Sequence, residues 1–213
     1  MKYRTVIFDF DGTLADSAAL SLDIMNSLAP EFGFAPASDD ELPQLKKMSA
    51  RELLAKRIHI PLWNIPKLRR LERRVREKFA KRAGEIRVFD AIPEMMRSLF
   101  AAGLEIGVVS SNSQEIVGSV LGRADIETHF IHAGSRFFGK TRAIKSALEE
   151  YSVDRSHAIY VGDELRDLDA CRKVGIDMIA VGWGFNAADA LRSAGARVAA
   201  TPQELLSILT SES

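Results

Sequence analysis

A single cysteine, Cys171, stands in a chain of 213 residues. An intrachain disulfide needs two, so no disulfide framework holds this fold, and the composition suits a reducing compartment. Net charge is missing as well, since 29 Lys and Arg balance 29 Asp and Glu. Nothing in that balance draws the chain toward nucleic acid or a membrane surface. Long apolar runs are also absent. Val6 to Phe10 is short and ends among acids, so no secretory leader is expected, and no segment approaches the ~20 apolar residues that span a bilayer. The four histidines (His59, His129, His132 and His157) show no ligand spacing, which leaves a zinc site without its usual donors. No internal repeat or low-complexity stretch is present. What remains is an ordinary globular composition, 46% hydrophobic and expected in the cytoplasm, long enough for one large core or a core with a smaller companion.

Against those absences, short apolar runs stand out. Thr5 to Phe10 is β-branched and aromatic and breaks at Asp11-Gly12-Thr13, as a buried strand does at a tight loop. Similar runs cover Leu104 to Ser110, Ala158 to Gly162 and Met178 to Gly182, with a weaker one at Phe130 to Ala133. Helical periodicity fills the gaps at Ile92 to Ala102, Gln114 to Leu121, Lys140 to Tyr151 and Leu165 to Val174, with Gly103 and Gly175 at helix stops. This alternation predicts an α/β fold, a Rossmann-like parallel sheet with helices on both faces and right-handed crossovers. Residues 17–87 break the rhythm. They show no strand and several helical stretches, interrupted by Pro30, Pro36, Pro43, Pro61 and Pro66. They are expected to form a small all-helical domain inserted after the first strand, leaving 1–16 and 88–213 as the core. Its clearest helix runs from about Pro66 to Ala83, with Leu68, Leu71, Val75 and Phe79 on one stripe.

Chemistry concentrates at the strand ends, where open parallel sheets bind ligands. Asp9-Phe-Asp11-Gly12-Thr13-Leu14 brings two carboxylates to one point, one suited to attack and the other to proton transfer. A turn using Asp and Gly for backbone reasons is the plainer explanation. Gly162-Asp163-Glu164-Leu-Arg-Asp167 ends a second apolar run, and carboxylates gathered there repel unless a cation joins them. Helix-dipole placement alone accounts for Glu164. Without His or Cys nearby, a hard octahedral ion such as Mg²⁺ fits the donors. Ser110-Ser111-Asn112 closes a third run, where hydroxyl and backbone N–H groups hold an oxyanion or cap the next helix. Lys140 opens a helix after Phe137-Phe138-Gly139, an unfavourable end for a cation unless it has a function.

Taken together and in this order, the four motifs resemble the haloacid dehalogenase-like (HAD) superfamily of hydrolases, and its phosphoglycolate phosphatase-like members in particular. The resemblance covers essentially the whole chain, and residues 17–87 look like that family's cap. It implies that Asp9 attacks phosphorus to form an aspartyl-phosphate, while Asp11 protonates the leaving oxygen and then activates water. Ser110, with Ser111 beside it, would hold phosphoryl oxygens, and Lys140 would neutralise both phosphate and Asp9. Mg²⁺ would sit on Asp9, the Asp11 carbonyl and Asp163, with Glu164 and Asp167 binding its waters or orienting Lys140. The implied substrate is a small phosphorylated metabolite, phosphoglycolate-like or a sugar phosphate, and Arg51 is a substrate contact by family position. Relatives often carry a proline soon after the lysine, where this chain has Thr141-Arg142.

Two other readings stay open at this point, a phosphomutase of the same fold and a non-catalytic binding protein. The paired acids argue for a metal and against a dehalogenase. Ten basic residues against three acids between Lys67 and Arg87 read as the wet face of an amphipathic helix, and no nucleic-acid or membrane partner is expected. Cys171 reads as a packed thiol. Trp183-Gly184-Phe185-Asn186 lies either near the site mouth or under a loop as packing. Composition and motifs leave the oligomeric state, monomer or homodimer, open.

Overall fold

The computed structural model describes residues 2–211 other than 62 and 135–138, and the backbone alone at 39. Phe137 and Phe138, which precede the candidate lysine, lie outside the described residues.

In chain order, β1 (Thr5–Phe8) and the two-residue β2 (Ala15–Asp16) lead into α1 (Ala18–Phe32), α2 (Leu42–Leu45), α3 (Ala50–Glu52) and α4 (Ile65–Lys81). β3 (Arg87–Val88), α5 (Ile92–Ala101), β4 (Glu105–Val109), α6 (Gln114–Arg123), β5 (Phe130–His132) and α7 (Lys140–Glu150) follow. β6 (Ala158–Gly162), α8 (Leu165–Val174), β7 (Asp177–Val181), α9 (Ala188–Ser193), β8 (Arg197–Ala199) and α10 (Pro202–Ser211) complete the described chain. Among the described residues, six strands form one parallel sheet in the order β5-β4-β1-β6-β7-β8. β2 and β3 pair antiparallel as a small separate ribbon.

β1 shows why the sheet organises this way. Its four residues, Thr-Val-Ile-Phe, are buried on both faces, as befits the centre of a parallel sheet covered by helices. Val6 and Phe8 face one apolar cluster, joined by Ile106, Val108, Ile159 and Val161 and covered by α5, α6 and α10. Ile7 faces the other, with Val109, Tyr160 and the buried faces of α7 and α8. Full burial of such a side chain contributes roughly 1.5–3 kcal/mol, so both layers are needed to hold the central strand. Cys171 belongs to the second cluster and is buried, and burial pushes its thiol above the usual range.

Between β2 and β3 the described chain is helical or irregular. Pro66 sits in the first turn of α4, where no backbone donor is needed. Asn64 caps that helix through its side chain, which accepts from Lys67 N at 3.2 Å. Leu71 and Phe79 are buried, with Leu68 and Val75 packed against the same cluster. The opposite face is wet, and its arginines pair with acids: Arg70 and Arg74 with Glu31, Arg76 with Glu72, Arg82 with Glu85. Pro30 does not interrupt the first of these helices but lies within α1. It falls in the last turn, where its missing N–H leaves a single helical carbonyl without its donor. Among the described residues, no helix is long and apolar enough to cross a membrane.

Candidate active site

Three strand ends make the site. β1 pairs with β4 on one side and β6 on the other, with Phe8 opposite both Val108 and Val161. Asp9, Ser110 and Asp163, just past those residues, therefore come out at the same edge of the sheet. Asp9 N still donates to Val161 O at 2.8 Å, which holds the first acid in line with β6. The loop then closes tightly, because Phe10 O accepts from the N–H groups of Thr13, Leu14 and Ala15. Gly12 makes that turn with φ 75°, and a Cβ there would lie 2.2 Å from Asp163 Oδ2. Across the pocket, a Cβ on Gly184 would lie 2.2 Å from Asp163 Cβ. Only glycine lets both loops approach this acid so closely.

Asp9, Asp163 and Asp167 each offer a carboxylate oxygen within 4.8 Å of the others, and all three are buried. Lys140, only 7% exposed, reaches into the group from the start of α7. Its Nζ lies 2.9 Å from Asp9 Oδ1 and 3.2 Å from Asp167 Oδ1, and donates to Tyr160 OH at 2.9 Å. Burial alone would lower the lysine's proton affinity, but Asp167 and Asp9 outweigh it and hold the ammonium charged.

The remaining acids are not neutralised by this one cation. Burial, with Glu164, Asp9 and Asp167 adding repulsion, raises Asp163 well above the carboxylate range. Burial likewise pushes Asp167 up to about 6 despite Lys140, and Asp11 up to about 6 with Asp9 adding to it. Asp163 is nonetheless held firmly. Thr13 Oγ1 donates to its Oδ1 at 2.9 Å and Phe185 N to its Oδ2 at 2.7 Å. Asp9 Oδ1 accepts from Phe10 N at 2.7 Å, whereas Asp9 Oδ2 is buried and has no hydrogen-bond partner among the described residues. A buried carboxylate oxygen without a donor is costly. An all-oxygen donor set with surplus negative charge and one orphaned oxygen fits a hard divalent cation.

Asp11 has a different setting. Its Oδ1 accepts from Ser17 Oγ at 2.9 Å and its Oδ2 from Asn112 Nδ2 at 2.7 Å. Its carboxyl thus faces a cavity of about 230 Å³ between the sheet edge and the helical segment, beside Ser111 and Asn112.

Comparison with known proteins places this arrangement. The model of the haloacid dehalogenase-like hydrolases matches residues 6–181. A phosphoglycolate phosphatase of Synechococcus elongatus is 32% identical over 97% of this chain and 97% of its own length. The chain belongs to the haloacid dehalogenase-like hydrolase family. It is a phosphoric monoester hydrolase of that family. An N-acetylmuramic acid 6-phosphate phosphatase of Pseudomonas aeruginosa is 26% identical over 87% of the chain and 84% of its own length. Among solved structures, a protein described as a predicted phosphatase from Clostridium acetobutylicum shares the fold with a TM-score of 0.82. It is 23% identical and covers 99% of this chain and 100% of its own.

Within this family fold, the residues singled out from the sequence divide into three groups. Asp9, Asp163, Asp167 and Lys140 share one buried cluster. Asp11, Ser111 and Glu164 line the adjoining cavity, while Ser110 is buried beneath it, its Oγ accepting from Asn112 N at 3.0 Å. Asp167 Oδ2 accepts from Glu164 N at 3.1 Å, and its Oδ1 lies 3.2 Å from Lys140 Nζ. Arg51 is exposed and lines a smaller cavity of about 130 Å³ that also contacts Lys140.

Several contributors lie in or beside these motifs, but local pattern assigns their side chains no role. Asn112 anchors Asp11, and Thr13 anchors Asp163. Arg166 pairs with Glu164 through Nε at 2.8 Å and Nη2 at 2.5 Å, bringing a second cationic side chain, a guanidinium, beside the Lys140 ammonium. Its position inside Gly162 to Asp167, a lone cation among acids, was the clue available. Trp183 Nε1 donates to Thr13 O at 3.1 Å, so this loop serves the site instead of merely packing. Asn186 bridges to the helical segment, donating to Lys46 O and Met48 O at 2.9 and 3.0 Å.

Proposed function

We propose that this phosphatase hydrolyses a small phosphomonoester with magnesium bound and with Asp9 as the nucleophile. The observation carrying this reading is Asp9 itself, with one oxygen tied to Phe10 N and Lys140 and the other buried without a partner. Asp9, Asp163 and the Asp11 main-chain carbonyl are the groups to hold the ion. Bound there, a divalent cation supplies charge compensation for the phosphoryl oxygens. Asp9 attacks phosphorus and takes the phosphoryl group, forming an aspartyl-phosphate. Lys140 holds Asp9 in position and balances charge on the equatorial oxygens. Ser110 and Ser111, with the backbone N–H groups around them, cradle the phosphate. Glu164 and Asp167 act behind these groups, Asp167 by orienting Lys140.

Asp11 is the proton carrier in this scheme. Its raised pKa, about 6, suits a group that gives a proton to the leaving oxygen and later takes one from water. Its anchors, Ser17 and Asn112, fix it facing the cavity where the leaving group departs. We further propose that residues 17–87 form the cap and that 1–16 and 88–213 form the catalytic core, with the β2–β3 ribbon as the joint. Closure of such a segment excludes water while the phosphoryl group is in transit.

Phosphate release from a generic aryl phosphate is the test. It is expected to require Mg²⁺ and to vanish in Asp9→Asn; near-normal turnover by that variant would refute the nucleophile.

A further inference from the structure

The cavity beside Asp11 says more about the substrate than the acids do. Its wall on the helical segment is built from Leu54, Ile58, Leu68, Leu71, Val75 and Phe79. Four of these, Leu54, Ile58, Leu71 and Phe79, are buried, yet they border an open cavity of about 230 Å³. An apolar wall left open, with no side chains filling the space before it, forfeits dispersion contacts that packing would supply. For scale, an apolar cavity of about 150 Å³ takes a benzene ring. The space here is continuous with the reacting centre, because Asp11, Ser111 and Asn112 form its core end.

The charged groups on its wall are already engaged. Arg76 pairs with Glu72 at 3.1 Å, and Arg166 pairs with Glu164. Ser17 donates to Asp11, and Ser21 Oγ donates to Ser17 O at 2.7 Å. A substrate carboxylate placed here would face apolar side chains and cations committed elsewhere, a costly burial.

We infer that the substrate's leaving group is apolar, an aryl or alkyl alcohol of about six to ten carbons, seated against Leu54, Leu71, Val75 and Phe79. The inference rests on the phosphatase reading only in placing the phosphoryl end beside Asp9. It departs from the carboxylate-bearing substrate named for the Synechococcus elongatus relative. The apolar body contributes binding through area removed from water, about four-fold in affinity for each buried methylene.

The test uses n-alkylphosphonates from methyl to octyl, which bind without being hydrolysed. Calorimetric titration of the full-length protein in magnesium buffer should show Kd falling about four-fold per methylene through roughly six carbons, then levelling. Val75→Phe and Leu68→Phe, two half-buried wall positions, fill the space and should cut the gain for the long chains at least ten-fold. Methylphosphonate affinity should stay within two-fold in both. A Kd that is flat with chain length, no binding at any length, or tighter binding of a carboxymethylphosphonate than of propylphosphonate overturns the inference. Turnover of phenyl phosphate by the same preparation decides the phosphatase reading separately: without phosphate release that reading fails, while the chain-length slope still judges the cavity.

Discussion

The sheet edge and the helical segment use burial for opposite ends. At the sheet edge, Asp9, Asp163, Asp167 and Lys140 are buried although each is charged or chargeable, and the fold tolerates their mutual repulsion. In the helical segment, Leu54, Leu71 and Phe79 pack in the apolar core and also border unfilled space. Each region gives up stability in its own currency, electrostatic in one and packing in the other. Such concessions collect where a molecule binds and reacts. In the proposed scheme the difference also separates two tasks: the charged edge determines which bond is broken, and the apolar walls determine what is attached to it.

Substitutions sharpen this contrast in order of expected effect. Asp9→Asn should lower turnover by on the order of 10⁴-fold or more, as loss of a nucleophile does, while binding of a long alkylphosphonate falls far less. A comparable loss of binding would merge the two regions into one function. Lys140→Met comes next, with turnover reduced roughly 10²- to 10³-fold, the scale of losing one charge-stabilising donor. It should also destabilise the protein by about 3 kcal/mol, since it strips the partner from two buried carboxylates; thermal denaturation measures that, and an unchanged melting temperature would discount the ion pairs. Magnesium at about a hundred times its Kd should stabilise the wild type by roughly 2.7 kcal/mol, a rise in Tm of several degrees for a chain of this size. Asp163→Asn should abolish most of that shift, and an undiminished shift would place the ion elsewhere. The smallest effect belongs to the link between the regions. Asn186→Ala removes three hydrogen bonds, those to Lys46 O and Met48 O and the one accepted from Leu165 N, and should raise KM by about ten-fold or less, with kcat changed less than KM.

The same division explains what the amino-acid sequence disclosed. β1, β4, β6 and β7 are legible because a parallel strand buried on both faces reads as an unbroken apolar run. β8, three residues with an exposed Arg197, carries no such pattern, and the two-residue β2 and β3 are too short to show one. Asp9 and Asp163 sit in compact motifs at strand ends, where local spacing is enough to notice them. Asn112, Thr13 and Asn186 matter through contacts 101, 150 and 140 positions away, which no local pattern records. The stripe Leu68, Leu71, Val75 and Phe79 was visible as helix packing. That it borders a cavity depends on what the opposite wall leaves unfilled, and only the fold brings those walls together.

The proposed mechanism passes through a covalent phosphoryl group on Asp9, and trapping it is the most direct measurement. Wild-type protein turning over a radiolabelled aryl phosphate with Mg²⁺ and quenched in acid should retain label on the peptide containing Asp9, released by hydroxylamine as an acyl phosphate is. Label absent from protein during active turnover, or carried on a peptide lacking Asp9, would contradict it.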